Sequence, residues 1–288
     1  MANQKTDKPV AIVTGSSRGA GRGIAIALGA HGYTVYVTGR SEKQGDAPLP
    51  GTIYEAAEAV TKAGGTGIPV RVDHSKDADI KALIERVERE QGRLDILVNN
   101  VAVIHDDLIK PGPFWEKDIH LVDILDVGLR SQYIASFYAA PIFARQKKGL
   151  IVFTSSFGSA CYMHGPAYGA QKTGVDKFAA DMAVDFKPFG VSVVSIWMGM
   201  LNTERSQRAA ELKPEQYGPL LKRAEKPQFT GHIIAALYAD PELARYSGQT
   251  LIGAEIAPRY GITDEGRSPP SYRSMLGEPR IPHPAVVA

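Results

Sequence analysis

The sequence predicts an α/β protein built on a single doubly wound parallel sheet of about seven strands, with helices on both faces. Three observations carry this. Strand-like and helix-like segments alternate along the chain. The strand-like segments are continuous apolar runs rather than in–out alternations, as expected where both faces of a sheet are covered. A glycine-rich turn at 15–23 joins the first such run to the first helix.

Each element has its own signal. Residues 10–14 are apolar and β-branched, hence a buried strand. After the turn, small residues continue as a helix over 24–30 that stops at His31-Gly32. A second strand follows at 34–38. Residues 41–52 hold two prolines and two glycines and read as an exposed loop. The helix at 53–63 ends on Gly64-Gly65 and leads to a strand at 68–72. Residues 77–91 set Ile80, Leu83, Ile84 and Val87 on one helical face. The fourth strand is expected at 94–98. Residues 114–146 form one long helical pattern, which Pro141 bends or ends. A strand at 150–154, a helix at 167–186 with Pro166 in its first turn, and strands at 191–196 and 250–252 complete the pattern.

Composition excludes several function classes. Hydrophobic residues make up 44% and charged residues 22% of the 288, ordinary values for a globular protein with a full-sized core. A net charge of +2 is too small to imply nucleic acid or a membrane surface as the main partner. The single cysteine, Cys161, rules out an internal disulfide framework and argues against a cysteine-based zinc site. The seven histidines are scattered without metal-ligand spacing, so no metal is expected. The N-terminal residues lack the apolar core of a signal peptide, and no apolar run reaches membrane-spanning length. A cytoplasmic protein is the expectation.

Two groups of residues point to chemistry. The first is the turn, where Gly15, Gly19 and Gly21 bracket Ser17 and Arg18. Glycine lets a backbone turn tightly and lets a pyrophosphate approach, and the helix N-terminus behind it offers free N–H groups. Arg40 follows the second strand, where a carboxylate would grip the ribose 2′-hydroxyl of NAD(H). Arg18 and Arg40 together suit a 2′-phosphate, so NADP(H) is expected over NAD(H). Asp73, after the third strand, is placed to accept from an adenine amino group and reads equally well as a turn residue. The second group is Tyr168 and Lys172, four apart on a predicted helix and therefore on one face. An ammonium beside a phenol lowers its pKa and fits it for proton exchange with a carbonyl or alcohol oxygen. With 12 tyrosines in the chain, this pair alone is expected by chance. Ser155, ending the fifth strand, brings a hydroxyl to the same end of the sheet, where it can polarise a substrate oxygen.

From about residue 8 to 252 these motifs resemble the short-chain dehydrogenase/reductase family. The likeness rests on the turn at 14–21, on Asn99-Asn100, on Ser155 with Tyr168 thirteen residues later, and on Lys172 four beyond. It implies a Rossmann-type fold and hydride transfer between nicotinamide and a carbonyl or secondary alcohol. It implies Tyr168 as acid/base, Lys172 as the group that lowers its pKa and holds the nicotinamide ribose, and Ser155 as the group that orients the substrate carbonyl. By the same resemblance Asn99 supports the sheet near the cofactor, Gly199 and Thr203 meet the nicotinamide amide, and the chain forms a homo-oligomer, a tetramer or dimer, through the helices at 114–146 and after Ala167. The expected organisation is a flexible N-terminus at 1–8, a catalytic domain at 9–253 and an irregular extension at 254–288, packed on the domain or on a neighbouring subunit.

The chain departs from the family pattern at four places. Val101-Ala102 replaces Ala-Gly after the paired asparagines, Met198 replaces proline, Gly128 stands where the long helix usually has asparagine, and the acidic-glycine ending after the last strand reads Gly253-Ala254-Glu255. In the family the carbonyl at the Gly128 position holds a water of the proton relay, and glycine keeps a carbonyl. These departures leave a second reading open, a dinucleotide-binding sensor or scaffold without turnover. Incubation with NADPH and a panel of carbonyls separates the two.

Overall fold

The structure is a computed structural model that describes residues 8–287, the side chain of Gln216 excepted. The expected flexible N-terminus therefore lies, except for Lys8, outside the described residues. Seven strands, β1 (Val10–Val13), β2 (Thr34–Gly39), β3 (Thr66–Arg71), β4 (Ile96–Asn99), β5 (Gly149–Ser155), β6 (Val191–Trp197) and β7 (Thr250–Ile252), form one sheet in the order β3-β2-β1-β4-β5-β6-β7. Every neighbouring pair is parallel. The helices are α1 (Gly19–Ala30), α2 (Ile53–Lys62), α3 (Asp77–Gln91), α4 (Asp123–Leu125), α5 (Ser131–Gln146), α6 (Pro166–Phe186), α7 (Glu204–Leu212), α8 (Pro214–Lys222), α9 (Pro227–Ala239), α10 (Gly253–Ile256) and α11 (Arg273–Leu276).

The apolar strands bury both faces. Ala11 and Val13 of β1 join a core with α1, α2 and α9, while Val10 and Ile12 join one with α3, α5 and α6. Alternate side chains of a strand point to opposite faces, so a strand covered on both sides must be apolar at every position. Strand order reverses at β1, which has β2 on one side and β4 on the other. The loops after β1 and β4 diverge there, and their crevice is where such sheets take ligands.

Several elements differ from the sequence expectation, among them the helices α7, α8 and α9, which it did not foresee. Helix α1 starts at Gly19 rather than at residue 24, because the second half of the glycine turn is already its first turn. Gly23 serves packing: a Cβ there would lie 2.2 Å from Pro227 of α9. The long pattern at 114–146 is not one helix. Phe114–Glu116 and Ile119–Val122 are short 3-10 turns, followed by α4, a π-helical turn at Asp126–Arg130, and α5. Asp118 accepts from the His120 N–H (2.8 Å), a local side-chain bond that competes with helix continuation. Pro141 does not end α5; it is exposed, and the helix runs on to Gln146. Beyond β7 the chain is mostly irregular, with α10, α11 and a 3-10 turn at Ala257–Tyr260, and it is pinned to the domain by the Tyr260 hydroxyl donating to Asp240 (2.6 Å).

Candidate active site

The glycine turn after β1 is shaped for close approach. Gly15 and Gly19 adopt left-handed φ of 63° and 57°, which a side chain disfavours. A Cβ at Gly21 would lie 2.4 Å from the Gly15 carbonyl oxygen, so the turn and α1 can meet only without one. The N–H of Gly19 donates to the Glu204 carboxylate (3.1 Å), which shows that this helix start accepts an anion. Ser17 is buried in the same turn. Asn100 staples the turn to β4, its amide donating to the carbonyls of Thr14 (2.9 Å) and Gly15 (3.1 Å). Asn99 does something else: it is fully buried and donates to Ser136 of α5 (2.9 Å), leaving its Oδ1 without a partner among the described residues. Of the paired asparagines, the second holds the dinucleotide turn. The reason is strand alternation, which sends neighbouring side chains to opposite sides of the sheet.

Arg40 follows the end of β2 and lies near enough to Arg18 to weigh on its charge. Arg18 is half committed: its guanidinium donates to Ser41 Oγ (2.8 Å) and to the carbonyls of Gly51 (2.6 Å) and Pro50 (3.1 Å). Burial lowers its pKa, against the attraction of Glu204. Arg40 is exposed. Asp73 accepts from the Ser75 hydroxyl (2.8 Å) and N–H (3.1 Å) through one oxygen. Burial works to raise this carboxyl, and the Ser75 bonds with the nearby Arg40 hold it below the usual value.

At the other end, Tyr168 and Lys172 stand one turn apart on α6, as their spacing requires. The hydroxyl that meets Tyr168 is that of Ser156, at 2.9 Å. Ser155, to which the sequence reading gives the substrate-orienting role, makes no hydrogen bond to Tyr168 among the described residues. Ser155 is fully buried, and its hydroxyl donates to the Lys172 carbonyl (3.3 Å). Being the last residue of β5, it points into the layer beneath α6, while Ser156 lies in the turn that follows. Lys172 donates to the Thr154 carbonyl (3.3 Å), and its Nζ lies 5.4 Å from the centre of the Tyr168 ring. Burial pulls Lys172 down to about 8, against the attraction of Asp176. Burial also pushes the Tyr168 phenol up, with the Ser156 hydrogen bond acting the other way. The sequence reading expected a lowered phenol; in the ligand-free site burial is the largest influence and acts the other way, and the Lys172 ammonium stands over the ring.

Asp176, a further turn along the same face, was missed. It accepts from Ser195 Oγ (2.6 Å) and Trp197 Nε1 (2.9 Å), and it is the acidic group that Lys172 feels. The four-residue spacing Tyr168, Lys172, Asp176 was the available signal. The carbonyl of Gly128 accepts from the buried Gln171 amide (2.7 Å), and a Cβ at Gly128 would press to 3.1 Å from Gln171. Glycine and Gln171 therefore fit one another, and the carbonyl that the family resemblance assigned to a water is bonded by an amide.

Gly199 and Thr203 follow β6. Thr203 caps α7, accepting from the Ser206 N–H, and Gly199 donates to Glu225 Oε1 (3.1 Å). Glu225 also pairs through its backbone, donating to Met200 (2.8 Å) and accepting from Asn202 (2.9 Å). Its carboxyl is buried, its Oε2 has no hydrogen-bond partner among the described residues, and burial pushes it up to about 8. The native state then holds a proton that the unfolded chain, at the ordinary 4.5, releases, so stability falls as pH rises from about 4.5 to about 8. Glu225→Gln is expected to flatten this loss by an amount on the order of a few kcal/mol. Urea unfolding of both proteins at pH 5.5 and 8.5 checks it; parallel pH trends would refute it.

This geometry, a glycine cradle at the head of α1 and a tyrosine–lysine pair on α6, meets at one end of one sheet. The model of the short chain dehydrogenase family matches residues 9–213. The chain belongs to the short-chain dehydrogenase family. Among family members, mouse dehydrogenase/reductase SDR family member 1 is 40% identical over 282 residues, covering 92% of this chain and 86% of that one. The 3-oxoacyl-[acyl-carrier-protein] reductase FabG of Staphylococcus aureus is 31% identical over 247 residues, covering 84% of this chain and 94% of the relative. A metagenomic short-chain oxidoreductase, solved in complex with NADP, superposes with a TM-score of 0.67 at 25% identity, covering 85% of this chain and 96% of that chain. Among the described residues of this short-chain dehydrogenase, no helix is long and apolar enough to cross a membrane.

Proposed function

We propose that the protein is an NADP(H)-dependent oxidoreductase that interconverts a carbonyl and a secondary alcohol, with Tyr168 as the acid/base. The observation that carries this reading is the 2.9 Å contact of Ser156 with Tyr168 beside the buried Lys172. The nicotinamide dinucleotide, when bound, supplies or accepts the hydride. The cradle of Gly15, Ser17, Gly19, Gly21 and Asn100 suits its pyrophosphate, Arg18 and Arg40 its 2′-phosphate, and Asp73 its adenine. Lys172 and Tyr168 suit the nicotinamide ribose, and Gly199 and Thr203 the carboxamide.

In reduction, the Tyr168 hydroxyl gives its proton to the carbonyl oxygen as negative charge develops there. The Ser156 hydroxyl donates to the same oxygen and polarises it. Lys172, when charged, favours the phenolate that is left. Burial keeps competing water away from this transfer and strengthens each charge interaction. Incubation with NADPH and a panel of ketones, followed at the absorbance of the reduced nicotinamide, tests the reading. No oxidation of NADPH with any carbonyl, and no reduction of NADP with the matching alcohols, would count against it.

The preference for NADP(H) rests on Arg40, whose guanidinium carries no hydrogen bond among the described residues. Arg40→Asp removes a cation and adds a repelling charge. It is expected to weaken NADPH binding about tenfold or more, the worth of a hydrogen bond to a charged group, with little change for NADH. Dissociation constants for both cofactors decide; equal losses would remove the assignment.

A homo-oligomer through α5 and α6 is supported by the apolar side chains their outer faces present. Tyr133, Phe137 and Val184 are exposed there, Phe137 at 60%, and Phe189 is exposed in the turn just after α6. Phe137→Glu is expected to shift the protein to a smaller species in light scattering. An unchanged mass, or a wild type that is already monomeric, would remove this face as the interface.

A further inference from the structure

Residues 264–277 lie beyond the stretch that the family model matches. They are fastened at both ends. Asp264, 3% exposed, accepts from the Lys226 N–H (3.2 Å) and from Arg267 (3.0 Å). Arg273 sets one edge of its guanidinium, Nε and Nη2, on the two carboxylate oxygens of Glu255 (2.9 and 2.7 Å) and gives Nη1 to Glu278 (2.9 Å). Bidentate pairs of this kind hold geometry as well as charge. Between the two anchors, Tyr272 adopts a left-handed φ of 60°, a conformation a non-glycine residue keeps only when its surroundings impose it.

The Tyr272 ring lies between two loops of the site. On one side it stands edge-on to Phe157 at 6.1 Å, and Phe157 follows Ser156 directly. On the other, its edge would lie 3.3 Å from a Cβ at Gly199. The ring is half-buried, so part of it stays open to a ligand. Leu276 packs in the same cluster with Cys161 and Met163, and a Cβ at Gly277 would lie 3.3 Å from that of Ala160. The tail thus reaches both the loop after β5 and the loop after β6.

We propose that Tyr272, held by this strap, is a wall of the substrate cleft and determines how large a carbonyl compound the site admits. The proposal rests on the oxidoreductase reading above. Removing the ring opens space between the two loops without touching Tyr168, Lys172 or Ser156. Bulky substrates gain from such space, and small ones lose only contact area.

The full chain carrying Tyr272→Ala, with Tyr272→Phe as the conservative control, tests this in two arms. In the first, NADPH-dependent reduction of benzophenone and butanone is compared. The ratio of their kcat/KM values is expected to rise about tenfold or more in the alanine variant, on the scale of a small change in pocket volume, and to stay within about twofold in the phenylalanine variant. The second arm needs no turnover. Cys161 is the chain's single cysteine and sits in the Tyr272 cluster, so its alkylation reports on the opening. The alanine variant is expected to accelerate a fluorescein maleimide about tenfold more than iodoacetamide, because the larger reagent gains more from the widened gap. Unchanged ratios in either arm overturn the proposal. Equal acceleration of both reagents with a lowered Tm also overturns it, since Tyr272 would then be a packing residue alone. If the wild type turns over no carbonyl while the cysteine arm shows the size dependence, the oxidoreductase reading falls and the wall stands.

Discussion

Tyr168→Phe is expected to bind NADPH almost as tightly as the parent and to turn over at least ~100-fold more slowly, the lower range for loss of a positioned acid/base. The substitution keeps the ring that packs beside Leu108, Leu121 and Ile124, so the fold around it should persist. It deletes only the hydroxyl that meets Ser156. Single-turnover kinetics with a saturating ketone would separate the chemical step from product release. Lys172→Ala should cost both turnover and cofactor affinity, and its effect should not add to that of Tyr168→Phe, because both act on one proton path. Near-parental turnover by Tyr168→Phe would remove the mechanism, whatever the family motifs.

The second large effect separates two adjacent serines. Ser156→Ala is expected to lower kcat by about 100-fold, the cost of removing one donor to a developing oxyanion. Ser155→Ala is expected to leave kcat within about threefold and to cost about 1 kcal/mol of stability, the net worth of an ordinary buried hydrogen bond. Its hydroxyl is fully buried and donates to the Lys172 carbonyl, whereas that of Ser156 lies against the phenol. Kinetics and urea unfolding on both variants decide. Collapse of turnover in Ser155→Ala with Ser156→Ala still active would return the role to Ser155.

The pair shows how far the sequence could be read. Counting thirteen residues back from Tyr168 follows a family spacing and lands on Ser155. The turn between β5 and α6 sets the Ser156 hydroxyl against the phenol, and the two serine variants decide which hydroxyl serves the substrate. The same holds for Asn99 and Asn100, where adjacent identical residues face opposite sides of the sheet. The long pattern at 114–146 misled for another reason. Apolar spacing records which residues are buried, and 3-10, π and α turns bury residues at similar intervals.

What the sequence by itself determined was the parallel sheet, its seven strands, the glycine cradle and the face shared by Tyr168 and Lys172. All of these are local: apolar runs, glycines that free the backbone, and a four-residue spacing that any helix converts into neighbours. Only the tertiary structure decided which serine meets the tyrosine, that burial pushes the phenol up and pulls the lysine down, that Glu225 is buried beneath Gly199, and that Tyr272 arrives from the tail. Each of those depends on desolvation or on contacts between residues far apart in the chain, and neither is written in the identity or spacing of the residues themselves.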